Sequence, residues 1–108
     1  THCHCRTCQK SAGTGFMSWT AVKFENFSWL SDEPAYFASG EKTFRGFCGD
    51  CGSPVSFHYK EPKGWAYVTV GSLDGAPDLQ SAIHLWTRRR LAWIDVEPEL
   101  TGYEEDMV

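Results

Sequence analysis

The chemistry of this chain is suggested first by three closely spaced cysteines, Cys3, Cys5 and Cys8, in the pattern Cys-x-Cys-x-x-Cys. If the chain is extended from the first cysteine to the second and turns back before the third, the three sulfurs can reach one metal ion. Thiolates are soft ligands, and among the abundant intracellular metals they favour zinc. The spacing therefore predicts a zinc ion held by three sulfurs.

Two further cysteines, Cys48 and Cys51, form a Cys-x-x-Cys pair with glycines beside them. Glycine allows a tight turn whose backbone amides can donate hydrogen bonds to the sulfurs, as in a zinc knuckle. The chain has five cysteines, an odd number, and their close spacing suits metal coordination better than a disulfide framework. All five are therefore predicted metal ligands.

Two assignments of these ligands are open. In the first, the two Cys-x-x-Cys pairs close one tetrahedral structural site and Cys3 is left over. In the second, the first three cysteines hold a zinc with an open fourth position, while Cys48 and Cys51 belong to another site whose remaining ligands precede Thr1. Only the second assignment predicts an enzyme, because an open position can take up a substrate.

Histidines offer a second kind of chemistry, because imidazole titrates close to neutral pH. His84 could carry a proton near the metal or be a structural histidine with satisfied hydrogen bonds, and the structural interpretation is preferred. His4 lies between two predicted ligands, where strand alternation predicts a ring that points away from a metal held by Cys3 and Cys5.

Short segments rich in aromatic and β-branched residues must position these side chains. After the first cysteines, Gly13 and Gly15 predict that a helix starting near Arg6 ends after one or two turns. The later segments are typical of strands separated by turns, with 65–70 as the central strand. The predicted strands are Phe16 to Phe24, Thr43 to Phe47, Pro54 to Tyr59, Trp65 to Val70 and Ala82 to Trp86. We therefore expect an all-β, mainly β, fold of antiparallel strands with one short helix.

The composition is that of a globular chain and excludes some classes of function. The chain has 108 residues, of which 42% are hydrophobic and 15% aromatic, so one core in one domain is expected. The net charge is -4, so the chain lacks the excess of basic residues that is typical of proteins that bind nucleic acid. No run of residues approaches the roughly 18 consecutive apolar residues of a membrane span, and the start of the chain does not resemble a signal peptide. A single cytoplasmic domain over residues 1–108, with neither nucleic acid nor a membrane as partner, is predicted.

Four stretches spread over nearly the whole chain carry a family resemblance. They are CHCRTCQKSAG at 3–13, FCGDCGSP at 47–54, GSLD at 71–74 and AIHLW at 82–86. In this order and spacing they resemble the family of glutathione-dependent formaldehyde-activating enzymes. The resemblance implies an Mss4-like fold of packed antiparallel sheets with zinc knuckles. It also implies two zinc sites, a catalytic one on Cys3, Cys5 and Cys8 and a structural one that joins Cys48 and Cys51 to a Cys-x-Cys pair upstream of them all.

That upstream pair is not in this sequence. The expectation is that the chain lacks an N-terminal segment that carries it. The alternative, in which the pair is lost and Cys3 or Cys5 is recruited to the structural site instead, stays open.

The activity implied by the resemblance is that of a carbon–sulfur lyase. Zinc with three thiolates activates a carbonyl oxygen poorly but can bind and deprotonate a fourth thiol, so the glutathione sulfur would add to formaldehyde or a related aldehyde and give S-hydroxymethylglutathione or its analogue. Arg6, Lys10 and Arg45 are candidate docking cations for the carboxylates of glutathione. A homodimer is an open expectation. The alternative function is a non-catalytic, zinc-stabilised binding module of the Mss4-like fold.

Overall fold

The computed structural model describes residues 1–75 and 78–107, and its contacts divide the chain into two compact units. The first unit contains Thr1–Trp19 and Gly75–Val108, and the second contains Thr20–Asp74. The single domain over residues 1–108 stays a prediction.

The regular elements of the described residues are eight strands and one α-helix. In chain order they are β1 (His2–Cys3), α1 (Arg6–Ala12), β2 (Met17–Lys23), β3 (Ala35–Ala38), β4 (Thr43–Phe47), β5 (Pro54–Tyr59), β6 (Trp65–Thr69), β7 (Ile83–Leu85) and β8 (Thr101–Gly102), with 3-10 turns at Phe24–Asn26, Val70–Ser72 and Thr87–Arg89. The prediction of a mainly β fold with one short helix is confirmed. All five predicted strands are present, as β2 and β4 to β7.

Three strands were not predicted from the sequence. β1 and β8 have two residues each, too few to show the alternation that identifies a strand. The four residues of β3 are Ala, Tyr, Phe and Ala, so this strand does not alternate between apolar and polar residues. These elements form because a neighbouring strand is available to pair with them, and a local pattern does not record that.

The helix α1 begins and ends where its residues satisfy the free backbone groups. Cys5 is the N-cap residue, and its sulfur accepts a hydrogen bond from the backbone N–H of Cys8 at 3.4 Å. At the other end, Gly13 adopts a left-handed conformation with φ 69°, which costs glycine little because it has no Cβ. Its N–H donates to the carbonyl of Gln9 at 2.9 Å. The seven-residue length agrees with the predicted one or two turns.

In the first unit, β1 lies between β2 and β7, and β8 follows β7. β1 pairs with β2 antiparallel but with β7 parallel, and β7 and β8 are also parallel, so the antiparallel expectation holds only in part here. Cys3 lies opposite Met17 and Leu85, and paired residues share one face of a sheet. On that face Cys3, Cys8 and Met17 form a buried cluster with Trp19 and Leu85 packed against it.

In the second unit β3, β4, β5 and β6 are neighbours in that order, and β2, which runs from the first unit into the second, follows β6. The candidate central strand is therefore interior, as predicted, since β6 lies between β5 and β2. β4 and β5 pair antiparallel, with an irregular register between Gly46 and Phe47. The interior contains small and polar residues such as Ser56, Ala66 and Thr69, which are almost fully buried.

No helix in residues 1–75 and 78–107 has the length and apolar character needed to cross a membrane.

Gly46 provides a test of the packing in the second unit. A Cβ at this position would meet the Ser56 hydroxyl oxygen and would lie 2.9 Å from Cγ of Pro34. Ser56 is held in place by His58, whose Nε2 lies 2.7 Å from the hydroxyl oxygen. We therefore expect Gly46→Ala to lower the free energy of unfolding by about 1–3 kcal/mol, the usual cost of overpacking. Chemical denaturation followed by tryptophan fluorescence measures this change.

Gly71→Ala is the matched control, because a Cβ there meets nothing within 4 Å. This variant should remain within about 0.5 kcal/mol of the parent. Equal stability of the two variants would show that the β4–β5 pair has more room than the structure indicates.

Candidate metal centre

The three cysteines near the start of the chain lie together. Cys3 ends β1, Cys5 caps α1 and Cys8 lies in the first turn of α1, and their sulfur atoms are all within 4.8 Å of one another. A tetrahedral zinc site with Zn–S distances of about 2.3 Å separates its sulfurs by about 3.8 Å. The three sulfurs therefore need only small movements to share one metal ion.

The three thiols strongly influence one another's pKa. Hydrogen bonds with Cys5 and Cys8, followed by burial, strongly raise the pKa of the Cys3 thiol. For Cys5 the hydrogen bond with Cys3 lowers the pKa, but Cys8 and burial outweigh it, so that this pKa is also raised. Three thiolates this close repel one another, and a bound dication removes that repulsion. The donor set and its geometry could thus hold a metal ion.

Hydrogen bonds outside the cluster hold the chain on both sides of it. The backbone N–H of His4 donates to the carbonyl of Leu85 at 2.9 Å, which extends the β1–β7 pairing towards Cys5. Gln9 is buried, and its side-chain amide donates to the carbonyl of Arg89 at 2.9 Å. The sequence analysis missed Gln9, because a polar residue on a short helix gives no sign that it is buried.

Three imidazoles lie on the opposite face of β1 from Cys3. His2 pairs with His84 across β1 and β7, and His4 follows two residues after His2, so alternation places all three rings on one face. His4 and His84 are fully buried, and Nε2 of His4 lies 2.8 Å from Nδ1 of His84. This orientation of His4 agrees with the one predicted from the sequence.

His84 has a hydrogen-bond partner at each ring nitrogen, since its Nε2 lies 2.9 Å from the carbonyl oxygen of Glu97. This favours the structural interpretation of His84 over that of a proton carrier. Burial, with a further contribution from the positive charge of Arg90, lowers the pKa of His4 to about 4. Both histidines therefore belong to an internal hydrogen-bonded layer behind the cysteines.

Cys48 and Cys51 share a tight turn in the second unit. The N–H of Cys48 donates to the carbonyl of Ser53 at 2.9 Å, and the N–H of Gly52, at φ 79°, donates to the carbonyl of Cys48 at 2.8 Å. Cys51 is exposed, and its sulfur lies 3.1 Å from the Ser53 hydroxyl oxygen. That hydrogen bond is the main cause of the lowered pKa of the Cys51 thiol. The tight turn itself agrees with the turn predicted around Cys48 and Cys51, and its use as a zinc knuckle stays a prediction.

The family described as glutathione-dependent formaldehyde-activating enzyme matches residues 1–89, which include both cysteine motifs. The chain belongs to this family. A search of the curated proteins finds no match.

The family name implies glutathione as a ligand of its members, and the three candidate docking cations of this family member lie in different surroundings. Arg6 and Lys10 are exposed and lie four residues apart on α1, so they share one face of the helix. Arg45 lies in the second unit and is buried, with its guanidinium 5.3 Å from the centre of the Phe57 ring.

Cys3 distinguishes the two ligand assignments of this formaldehyde-activating family member. If it is a ligand, Cys3→Ser should reduce the zinc bound per chain and weaken the sulfur-to-metal charge-transfer absorption of the Co²⁺ form, because a neutral hydroxyl is a poor ligand compared with a thiolate. Metal analysis and absorption spectroscopy measure both quantities. Thr7→Ser, an exposed change on the same helix, should alter neither. Unchanged metal content and absorption in Cys3→Ser would instead support the assignment in which Cys3 is not a ligand.

The second cysteine pair has its own test. If Cys48 and Cys51 hold a structural metal, Cys48→Ser should lower the melting temperature and the metal content together, because metal affinity and folding are coupled. Asp50→Asn leaves both thiols of the turn in place and serves as the control. A Cys48→Ser protein that keeps its melting temperature and its metal would show that the pair is not a metal site.

Proposed function

We propose that this chain is a zinc-dependent carbon–sulfur lyase that forms and cleaves the adduct of glutathione, or of a similar thiol, with formaldehyde or a related aldehyde. The observation that carries the proposal is the convergence of three cysteine sulfurs to within 4.8 Å. These cysteines lie inside the segment that matches the formaldehyde-activating family.

In this proposal Cys3, Cys5 and Cys8 are the ligands of the catalytic zinc. The closeness of Cys3 to the other two sulfurs supports the assignment with three thiolates and an open fourth position. When bound, a zinc ion held by three thiolates favours the thiolate form of an incoming thiol and activates a carbonyl only weakly. The site is therefore better suited to prepare the thiol than to polarise the aldehyde.

The reaction needs no oxidant or reductant. The glutathione sulfur forms a bond to the carbonyl carbon, the carbon–oxygen π bond breaks, and the proton lost from the thiol is balanced by the proton gained by the aldehyde oxygen. Cleavage reverses these changes. The contribution of the chain is to hold the thiol in one place and orientation, which raises its effective concentration next to the aldehyde.

Arg6 and Lys10 are the proposed docking cations for the glutathione carboxylates. Both are exposed on α1, the helix that carries Cys8 and is capped by Cys5, so a tripeptide held near these sulfurs has two cations on the adjoining helix face. Charge-assisted hydrogen bonds to carboxylates are stronger than neutral ones. Arg45 is retained as a third candidate, although its burial would require movement before it could contact a ligand.

Cys48 and Cys51 are proposed as ligands of a second, structural zinc. Support comes from the closed knuckle turn and from the lowered pKa of Cys51, since the thiolate is the form that binds metal. None of the five cysteines forms a disulfide in the described residues, and thiols that bind metal must stay reduced, which supports the cytoplasm as the compartment. The homodimer stays a prediction.

Glutathione binding tests the proposal directly. Because the bound form has lost its thiol proton, affinity should increase as pH rises towards the thiol pKa of about 8.5, by up to about tenfold per pH unit. S-methylglutathione keeps both carboxylates but cannot ionise at sulfur, so it should bind much more weakly. Titration calorimetry on protein with verified zinc content measures both affinities.

Two variants and a rate measurement complete the experiment. Cys5→Ser should lose glutathione binding, whereas Cys51→Ser that remains folded should keep it, because only the first residue is assigned to the catalytic zinc. Exchange NMR then shows whether adduct formation is accelerated above the uncatalysed rate. Equal affinity for glutathione and its methyl thioether would refute the thiol-activation mechanism. Binding without acceleration would instead support the alternative of a non-catalytic binding module.

A further inference from the structure

On the other side of β1 from Cys3, hydrogen bonds join three residues in one continuous series. It runs from the carbonyl of Glu97 to His84, at 2.9 Å, and from His84 to His4, at 2.8 Å. His84 and His4 are fully buried, so water does not compete for these bonds. His4 is the residue between Cys3 and Cys5.

The direction of these hydrogen bonds follows from their last acceptor. A carbonyl oxygen only accepts, so Nε2 of His84 carries a proton, and in the neutral ring its Nδ1 is then the acceptor. The Nε2 of His4 must then donate to His84, which leaves a lone pair on Nδ1 of His4. That nitrogen is buried without a hydrogen-bond partner among residues 1–75 and 78–107.

We propose that His84 is a positioning residue for the metal ligands, acting through its hydrogen bond to His4. This inference rests on the proposed function, since it concerns the zinc held by Cys3, Cys5 and Cys8. The His4 backbone is already paired with Leu85, and its ring is fixed by His84. The two hydrogen bonds restrict the rotation of His4, and in this proposal they thereby help the two flanking thiols to keep their directions.

The series of hydrogen bonds ends at the carbonyl of Glu97. This residue lies outside the part of the protein that matches the family, which ends at residue 89. Glu97 has a positive φ of 44°, an uncommon conformation for a residue with a side chain. Its carbonyl also accepts from the N–H of Leu100 at 3.1 Å, and the N–H of Tyr103 donates to the carbonyl of His84 at 2.9 Å. The segment after residue 89 thereby holds both the carbonyl and the strand that carries His84.

The first experiment reads the direction of the hydrogen bonds in the zinc-loaded protein. Long-range ¹H–¹⁵N NMR spectra report which nitrogen of each imidazole carries the proton. We expect the proton on Nε2 in both His4 and His84. A proton on Nδ1 of either ring would overturn the proposed series of hydrogen bonds. This result does not depend on whether any variant folds.

The second experiment measures metal affinity and geometry in variants of His84. His84→Leu removes both hydrogen bonds, and we expect zinc to bind about tenfold more weakly or worse, the usual effect of losing a residue that orients metal ligands. The Co²⁺ absorption bands assigned to this site, which are the bands lost in Cys5→Ser, should shift or weaken. The amide of His84→Gln offers a carbonyl oxygen as acceptor and an NH₂ group as donor. This variant should therefore restore most of the zinc affinity and of the Co²⁺ bands.

Controls separate positioning from stability. His58→Leu removes another histidine with a hydrogen-bond partner, in the second unit, and should leave these bands unchanged even if the melting temperature falls. A folded His84→Leu protein with the zinc affinity and Co²⁺ bands of the parent would overturn this inference and leave the proposed function intact. A parent protein that binds neither ion at Cys3, Cys5 and Cys8 would overturn the proposed function, and this inference with it.

Discussion

The alternation of side chains along His2, Cys3 and His4 is the constraint on which the candidate site depends. In an extended chain successive residues point to opposite faces, so one short segment sends a thiol to one side and two imidazoles to the other. β1 is held between β2 and β7, and a shift of its register by one residue would exchange the two sides. The cysteine cluster and the histidine layer are therefore two results of the same pairing.

Most of the candidate site could be predicted from the sequence, because its three cysteines are close together along the chain. Cys3, Cys5 and Cys8 are separated by so few residues that an extended segment followed by one helical turn brings their sulfurs together. The end of α1 at Gly13 follows from local chemistry in the same way. The spacing of the cysteines and glycines was likewise sufficient to predict the turn that carries Cys48 and Cys51.

What could not be predicted depends on partners that are distant in sequence. β1 and β8 exist because neighbouring strands pair with them, and the contact between His4 and His84 joins residues 80 positions apart. Gln9 gave no signal because its partner is a backbone carbonyl, which every residue has. Arg45 was singled out for its charge, but its packing on Phe57 depends on the pairing of β4 with β5, which brings the two residues opposite each other.

The bond between His4 and His84 also constrains how this chain can change over evolutionary time. A substitution at either position alone leaves a buried nitrogen of the other without its partner, at a cost of about 1–3 kcal/mol. That is a large fraction of the stability of a small protein. Sequences that drift at one of these positions are therefore expected to change at the other as well, so the two should co-vary among relatives although 79 residues lie between them.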